Sequence, residues 1–262
     1  YMYPGHCHLL AQVIFNNSRE KFMTINRFIV TGSSSGIGKA ICEALIAKKI
    51  RVIGISRNEA GHYFDPAYYE SHLIDLADTK NLPARLTSVI EKYGQFNGLI
   101  SCAGAGNFGS IENFSLMQIE ESLRINLLSH IVLTRYLVPL LKKQNGGNLI
   151  YIGSEAALDG GKQGSLYSAA KFGLRGFTQS IRAEVAHKNI KVVLINPGMV
   201  RTHFFDKLHF EPGSNEQNTI PVDDIAKVVI NVLEMAPNTS IDEVVINPII
   251  KSVKKKKNNN SS

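Results

Sequence analysis

Thr31-Gly32-Ser33-Ser34-Ser35-Gly36-Ile37-Gly38 is the stretch on which the fold turns. It follows the short apolar run Phe28–Thr31 and opens a helical pattern over about 37–48, so it joins a strand to a helix. Glycines here permit a tight turn and let the backbone approach a diphosphate, whose charge the free N–H groups and dipole of the following helix stabilise. Gly32, Ser34, Ser35, Gly36, Ile37 and Gly38 are therefore candidate cofactor-binding residues. The spacing G-x-x-x-G-x-G differs from the common G-x-G-x-x-G fingerprint, and a glycine turn can also be a turn with no ligand. Its place at the head of a strand–helix series favours the dinucleotide.

Outward from this turn, short apolar runs alternate with longer helical stretches. The strand candidates are Phe28–Thr31, Arg51–Ser56, Ser71–Asp75, Gly98–Cys102, Asn148–Ile152, Lys191–Asn196 and Glu243–Ile246, with helices at about 37–48, 81–93, 115–143, 165–188 and 222–235. That order predicts an α/β fold: a single doubly wound Rossmann-type domain, its mostly parallel sheet of about seven strands covered by helices on both faces. Ile119, Leu123, Leu127, Ile131 and Leu137 recur near helical spacing, so the stretch 115–143 reads as core or interface. Residues 201–221 break any period at Pro212-Gly213-Ser214-Asn215 and read as a loop or short helical lid over the crevice beyond the strand ends.

The 262 residues suit one large domain, placed at 23–250, with 1–22 as an N-terminal extension outside the core. The net charge of +7 suggests a nucleic-acid partner until the lysines are located: Lys251 and Lys254–Lys257 carry five positive charges with no acid beyond position 250. The body is nearly neutral, which argues against nucleic acid. Residues 251–262 read as a basic, disordered tail. No apolar run approaches the roughly 18 residues that span a bilayer, so no membrane partner is expected. Cys7, Cys42 and Cys102 lack paired spacing and fit reduced thiols in a cytoplasmic protein, and the eight histidines form no close metal-ligand set.

Cofactor choice turns on the second strand. An acid about 20 residues past the glycines would hold the ribose hydroxyls of NAD, whereas an arginine pairs with the 2′-phosphate of NADP. The strand ends Ile55-Ser56-Arg57-Asn58, so NADP(H) is favoured over NAD(H). Arg57 could equally solvate a loop and pair with Glu59. Asp75 could accept from an adenine amino group or cap the next helix.

Tyr167 and Lys171 lie one helical turn apart, on one face. Tyrosine titrates near about 10, too high for a base at neutral pH, but a neighbouring ammonium favours the phenolate and makes Tyr167 a usable acid/base. Ser154, thirteen residues earlier at the end of the fifth strand, can donate to a substrate oxygen as negative charge develops there.

Taken in order, "TGSSSGIG" at 31–38, Asp75, "SCAG" at 101–104, Asn126, Ser154, "YSAAK" at 167–171 and "NPGMVRT" at 196–202 resemble the short-chain dehydrogenase/reductase family over residues 27–248. The resemblance implies an oxidoreductase that interconverts a secondary alcohol and a carbonyl on a small molecule, with Ser154, Tyr167 and Lys171 catalytic. It implies further that Asn126 supports a proton-relay water near Lys171, and that Lys171 bonds the nicotinamide ribose. Val200 and Thr202 would hold the carboxamide, with Leu76, Ala103, Gly104, Pro197 and Gly198 as further cofactor contacts, and the protein would be a homodimer or homotetramer through its long helices. Ser101-Cys102 replaces the family's common Asn-Asn, and Cys102 reads as packing before it reads as a redox sensor. The ending "SIDEVVINPI" lacks the glycine-rich motif of the family's acyl-carrier-protein reductases and looks more like members acting on 3-hydroxy acids, small carbonyls or pterin side chains. The rival reading is a non-catalytic dinucleotide-binding regulatory protein, whose expected mark, loss of the tyrosine or lysine, is not found.

Overall fold

The computed structural model describes residues 26–59 and 64–256. Seven strands form one sheet: β1 Arg27–Thr31, β2 Arg51–Ser56, β3 Tyr69–Leu73, β4 Gly98–Ser101, β5 Gly147–Ile152, β6 Ile190–Pro197 and β8 Glu243–Ile246, the label β7 being kept for Phe210–Pro212. Their order is β3-β2-β1-β4-β5-β6-β8, and every neighbouring pair is parallel. The order reverses between β1 and β4, which opens a crevice beyond the carboxyl ends of those strands.

Strand alternation builds two cores. Ile29, Ile53, Leu99, Leu149, Tyr151, Val192 and Leu194 face one layer; their neighbours Phe28, Val30, Val52, Ile100, Ile150, Val193 and Ile195 face the other. Both faces are apolar because helices cover both, which is why these strands read as unbroken hydrophobic runs. On the first face pack α2 Leu82–Tyr93, α4 Ser129–Gln144 and α5 Ser165–Val185; on the second pack α1 Gly36–Ala47 and α6 Val222–Leu233.

β3 is shifted by two residues from its predicted Ser71–Asp75, and two larger departures follow. The predicted helix 115–143 is α3 Leu116–Leu123 followed by a π turn, Arg124–Leu128, and then α4. Ser115 starts α3 through a reciprocal capping box with Gln118. The extra residue per turn in the π segment re-aims Asn126 inward, and such bulges recur at functional sites.

The second departure is a correction. Residues 251–256 are not a disordered tail: Val253–Lys255 forms β9, antiparallel to β7. Little apolar surface is buried; backbone pairing and lysine contacts hold the strand instead. Lys256 N–H donates to His209 C=O at 2.8 Å, Gly213 N–H to Ser252 C=O at 2.9 Å, and Lys251 pairs with Glu155 at 2.6 Å. The expectations for 1–22 and for 257–262 lie outside the described residues.

Candidate active site

The cofactor end is assembled by close approach of three loops. Gly32 and Gly36 take φ of +68° and +53°, backbone that side chains with a Cβ rarely adopt. A Cβ on Gly32 would stand 3.2 Å from Ala103 Cα, and one on Gly36 3.2 Å from Thr202 Cβ. Thr31 Oγ1 accepts from Cys102 N–H at 2.9 Å and Ala103 N–H at 3.0 Å, which ties the glycine turn to the "SCAG" loop. Ser35, at the N-cap of α1, makes no side-chain capping bond, and a cavity of about 580 Å³ lies over that helix end, lined by Ser34, Ser35, Gly36, Arg201 and Thr202 among others. An uncapped helix start facing a glycine cradle fits a dinucleotide diphosphate.

The remaining cofactor candidates are placed unevenly. Arg57 is exposed just past β2 and forms no ion pair with Glu59 among the described residues. Asp75 is also exposed; its Oδ1 accepts from Ala77 N–H at 2.9 Å in an Asx turn, while the N-cap of the next helix is Asn81. Leu76 turns its side chain into the core, leaving only its backbone for a ligand. Ile37 is packed against the second core, Pro197 ends β6, Gly198 N–H donates to Ile246 C=O at 2.8 Å, and buried Val200 bridges Ile220.

Tyr167 and Lys171 project from α5 and both are buried. Lys171 Nζ sits 5.6 Å from the Tyr167 ring centroid and donates to Ile152 C=O at 3.0 Å. Ser154 follows β5, held by its own N–H donating to Asn196 Oδ1 at 3.1 Å; Asn196 Nδ2 donates in turn to Glu243 at 2.6 Å, and Glu243 is paired with Arg175 at 2.9 Å. Asn126 closes the far side. Its amide clamps Ala105 through paired bonds of 3.0 and 2.9 Å, and a Cβ on Gly104 would lie 3.0 Å from Asn126 Oδ1 and 3.8 Å from Lys171 Nζ. The four catalytic candidates therefore converge.

Burial decides their protonation. It pushes the Tyr167 phenol up to about 12, with the Ser154 hydroxyl pulling weakly the other way, and pushes Lys171 down to about 8. This differs from the simple expectation that Lys171 lowers Tyr167: burial is the largest influence on the phenol and raises it. Tyr167 therefore holds its proton at neutral pH. Cys102 is raised to about 12 by burial and stays a thiol, as packing requires.

The family profile described as short chain dehydrogenase matches residues 26–211. A 3-oxoacyl acyl-carrier-protein reductase of Buchnera aphidicola is 34% identical over 193 residues, covering 71% of this chain and 79% of that protein. The chain belongs to the short-chain dehydrogenase family. Another member, an NADPH-dependent 3-dehydrocapnine reductase of Ornithobacterium rhinotracheale, is 30% identical over 68% of this chain and 67% of its own length. The solved structure of a metagenomic short-chain oxidoreductase in complex with NADP superposes with a TM-score of 0.72 at 28% identity, covering 86% of this chain and 98% of that one. As a short-chain dehydrogenase the protein is an oxidoreductase acting on CH–OH groups.

Several groups that build this short-chain dehydrogenase site were not singled out from sequence. Asn196 was legible only as the first letter of "NPGMVRT", and Thr31 only as the first of the glycine turn. Phe108 carried no local signal. Its ring lies 5.2 Å from that of Tyr167 and 5.1 Å from that of Phe210, while Phe204 packs 5.7 Å from Tyr167. Segment 201–221 thus contributes Phe204 and Phe210 to an aromatic cover over Tyr167. Behind the "SCAG" loop, buried His130 accepts or donates at Ser101 Oγ, 2.7 Å away, and burial holds it neutral, down to about 3.

Proposed function

We propose that the protein is an NADP(H)-dependent reductase or dehydrogenase interconverting a carbonyl and a secondary alcohol on a small molecule. The observation that carries this is the convergence of half-buried Ser154 with buried Tyr167 and Lys171, where the tyrosine holds its proton. The bound nicotinamide supplies or accepts the hydride. In reduction, Tyr167 donates its proton to the substrate oxygen while Ser154 offers a second hydrogen bond to the developing negative charge, an arrangement worth about 10²- to 10⁴-fold for the acid alone. Lys171, positively charged below about pH 8, favours the tyrosinate left behind. The π turn and the Asn126 clamp fix the loop 103–105 against Lys171.

Cofactor choice rests on Arg57, exposed where a 2′-phosphate would lie and free of Glu59; relatives described with NADP or NADPH support it. The free thiols of Cys42 and Cys102 suit a cytoplasmic protein, and no helix of the described residues is long and apolar enough to cross a membrane. Exposed Leu116 (72%), Met117 (74%) and Phe172 (43%), on α3 and α5, support a homo-oligomer through those helices. Nothing in the site favours the non-catalytic reading.

A panel of carbonyls and alcohols followed by NADPH absorbance, with NADH alongside, tests the proposal. Turnover with a preference for NADPH is expected. Failure of every carbonyl and alcohol with both cofactors would count against it.

A further inference from the structure

The ribbon of β7 and β9 brings a distant part of the chain to the aromatic rings that cover Tyr167. Register pairs Phe210 with Lys255, Glu211 with Lys254 and Pro212 with Val253. Side chains alternate along a ribbon and directly opposed residues share a face, so Lys254 meets Glu211, 3.9 Å away, on one side. Lys255 falls with Phe210 on the other, and the Phe210 ring touches Phe108, which touches Tyr167. Lys255 itself has no hydrogen-bond or ion-pair partner among the described residues.

Beside this face lies a cavity of about 500 Å³, lined by Phe108, Asn113, Gln163, His209, Lys255 and Lys256 among others, with no carboxylate in its wall. Glu211 pairs with Lys254, Glu155 with Lys251 and Asp206 with His203, while Glu112, between the lining residues Ser110 and Asn113, is exposed and lies outside the lining. Lys256 donates to the carbonyls of Phe205 and Asp206, so its charge remains uncompensated by any anion there. An aromatic wall toward the tyrosine and a cationic rim away from it select a molecule with two unlike ends.

From this geometry we infer that the substrate is a carbonyl compound bearing a carboxylate or phosphate, with the anion held at the rim by Lys255, supported by Lys256, and the carbonyl directed past Phe108 to Tyr167. The inference rests on the carbonyl-reductase reading above and adds the substrate's charge to it. Lys255 acts here as a specificity residue and Phe108 as the divider between the anion and the reacting carbon.

The test compares para-acetylbenzoate with its methyl ester, which keeps the ketone and the ring and removes the charge. In wild-type protein kcat/KM for the acid should exceed that for the ester. Lys255→Glu should lower the acid-to-ester ratio about 10-fold, Lys255→Arg should restore it, and high salt should compress it, because the rim is exposed. Calorimetric binding of para-acetylbenzoate to the cofactor-loaded protein gives the second readout, with Kd raised several-fold by Lys255→Glu and recovered by Lys255→Arg. An acid-to-ester ratio near unity that Lys255→Glu leaves unchanged overturns the inference, as does a Kd indifferent to both variants. Binding that follows the Lys255 charge with no turnover of either probe supports the rim and counts only against the reductase reading.

Discussion

The glycine turn between β1 and α1 and the aromatic cover over Tyr167 line the same crevice, yet they are held by different kinds of contact. At the turn, φ values at Gly32 and Gly36, the start of α1 and the Thr31 bonds are fixed within a few residues or by adjacent strands. At the cover, Phe108, Phe204, Phe210 and the β9 strand come from segments separated by up to roughly 150 residues and meet only in the folded protein. A cofactor common to many enzymes is recognised by backbone geometry that local sequence dictates, while the substrate is recognised by side chains whose neighbours the local sequence does not reveal.

The largest effect should come where the two regions meet. Tyr167→Phe keeps the ring that packs on Phe108 and Phe204 and removes only the hydroxyl, so fold and cofactor affinity should persist while kcat falls about 10²- to 10⁴-fold. Alcohol oxidation needs the tyrosinate, and burial raises that pKa, so oxidation should climb with pH through the neutral and mildly alkaline range. Reduction uses the protonated form, which is full throughout that range, and should change far less. Steady-state rates in both directions check this; retention of most carbonyl reduction by Tyr167→Phe would show that another group supplies the proton.

On the cofactor side, Arg57→Ala should weaken NADPH binding by about 10- to 100-fold, since a charge-assisted contact of about 1.5–3 kcal/mol disappears, and leave NADH nearly unaffected. Exposure of Arg57 places the result toward the lower end. Equal losses for both dinucleotides, measured by fluorescence titration, would remove Arg57 from cofactor selection.

These two regions also mark how much could be read from sequence. β2 falls where the apolar run predicts, because a strand buried on both faces has no competing pattern, and β8 falls at its predicted residues although it lies at the opposite edge of the sheet, partly exposed. β3 is shifted to Tyr69–Leu73 from the predicted Ser71–Asp75, since at the sheet edge its residues are half-exposed and polarity no longer marks the end. The π turn was hidden because one extra residue in a 29-residue stretch barely disturbs helical spacing. β9 was hidden for a stronger reason: a lysine-rich run with Val253 as its one apolar residue carries the composition of a disordered tail, and only a partner strand some 40 residues away gives it structure.

Removing residues 251–262 probes that long-range contact. The loss of β9 and of the Lys256 contacts to Phe205 and Asp206 should loosen the cover over Tyr167 and raise substrate KM several-fold, with kcat lowered less. Dinucleotide affinity should change less than KM, because Gly32 and Thr31 meet the 102–103 backbone, which the truncation leaves in place, and only Gly36 faces the covering segment, at Thr202. A parallel loss of NADPH affinity would mean that the two regions are mechanically coupled and not merely adjacent.

The smallest effect concerns stability and belongs to Lys171, the residue that borders both regions. Its ammonium is buried, with Ile152 C=O as its hydrogen-bond acceptor, and burial lowers its pKa to about 8 from the unfolded value near 10.5. A lowered folded value means that the unfolded chain binds more protons between those limits, so the charged lysine costs stability in full below about pH 8, and the cost fades as pH rises toward 10.5. Lys171→Met removes the charge at similar length. Against this gain stands the Ile152 carbonyl left without its donor, about 1 kcal/mol. The net effect near pH 7 should be a stabilisation of about 1–2 kcal/mol, or roughly 2–8 °C in Tm for a domain of this size, with turnover abolished. The difference from wild type should shrink when the melts are repeated at pH 9.5, where the wild-type lysine is already neutral in the folded protein. A variant that melts lower than wild type at pH 7, or a gap that widens with pH, would show that the ammonium is better compensated than its surroundings indicate and that Lys171 carries no stability cost.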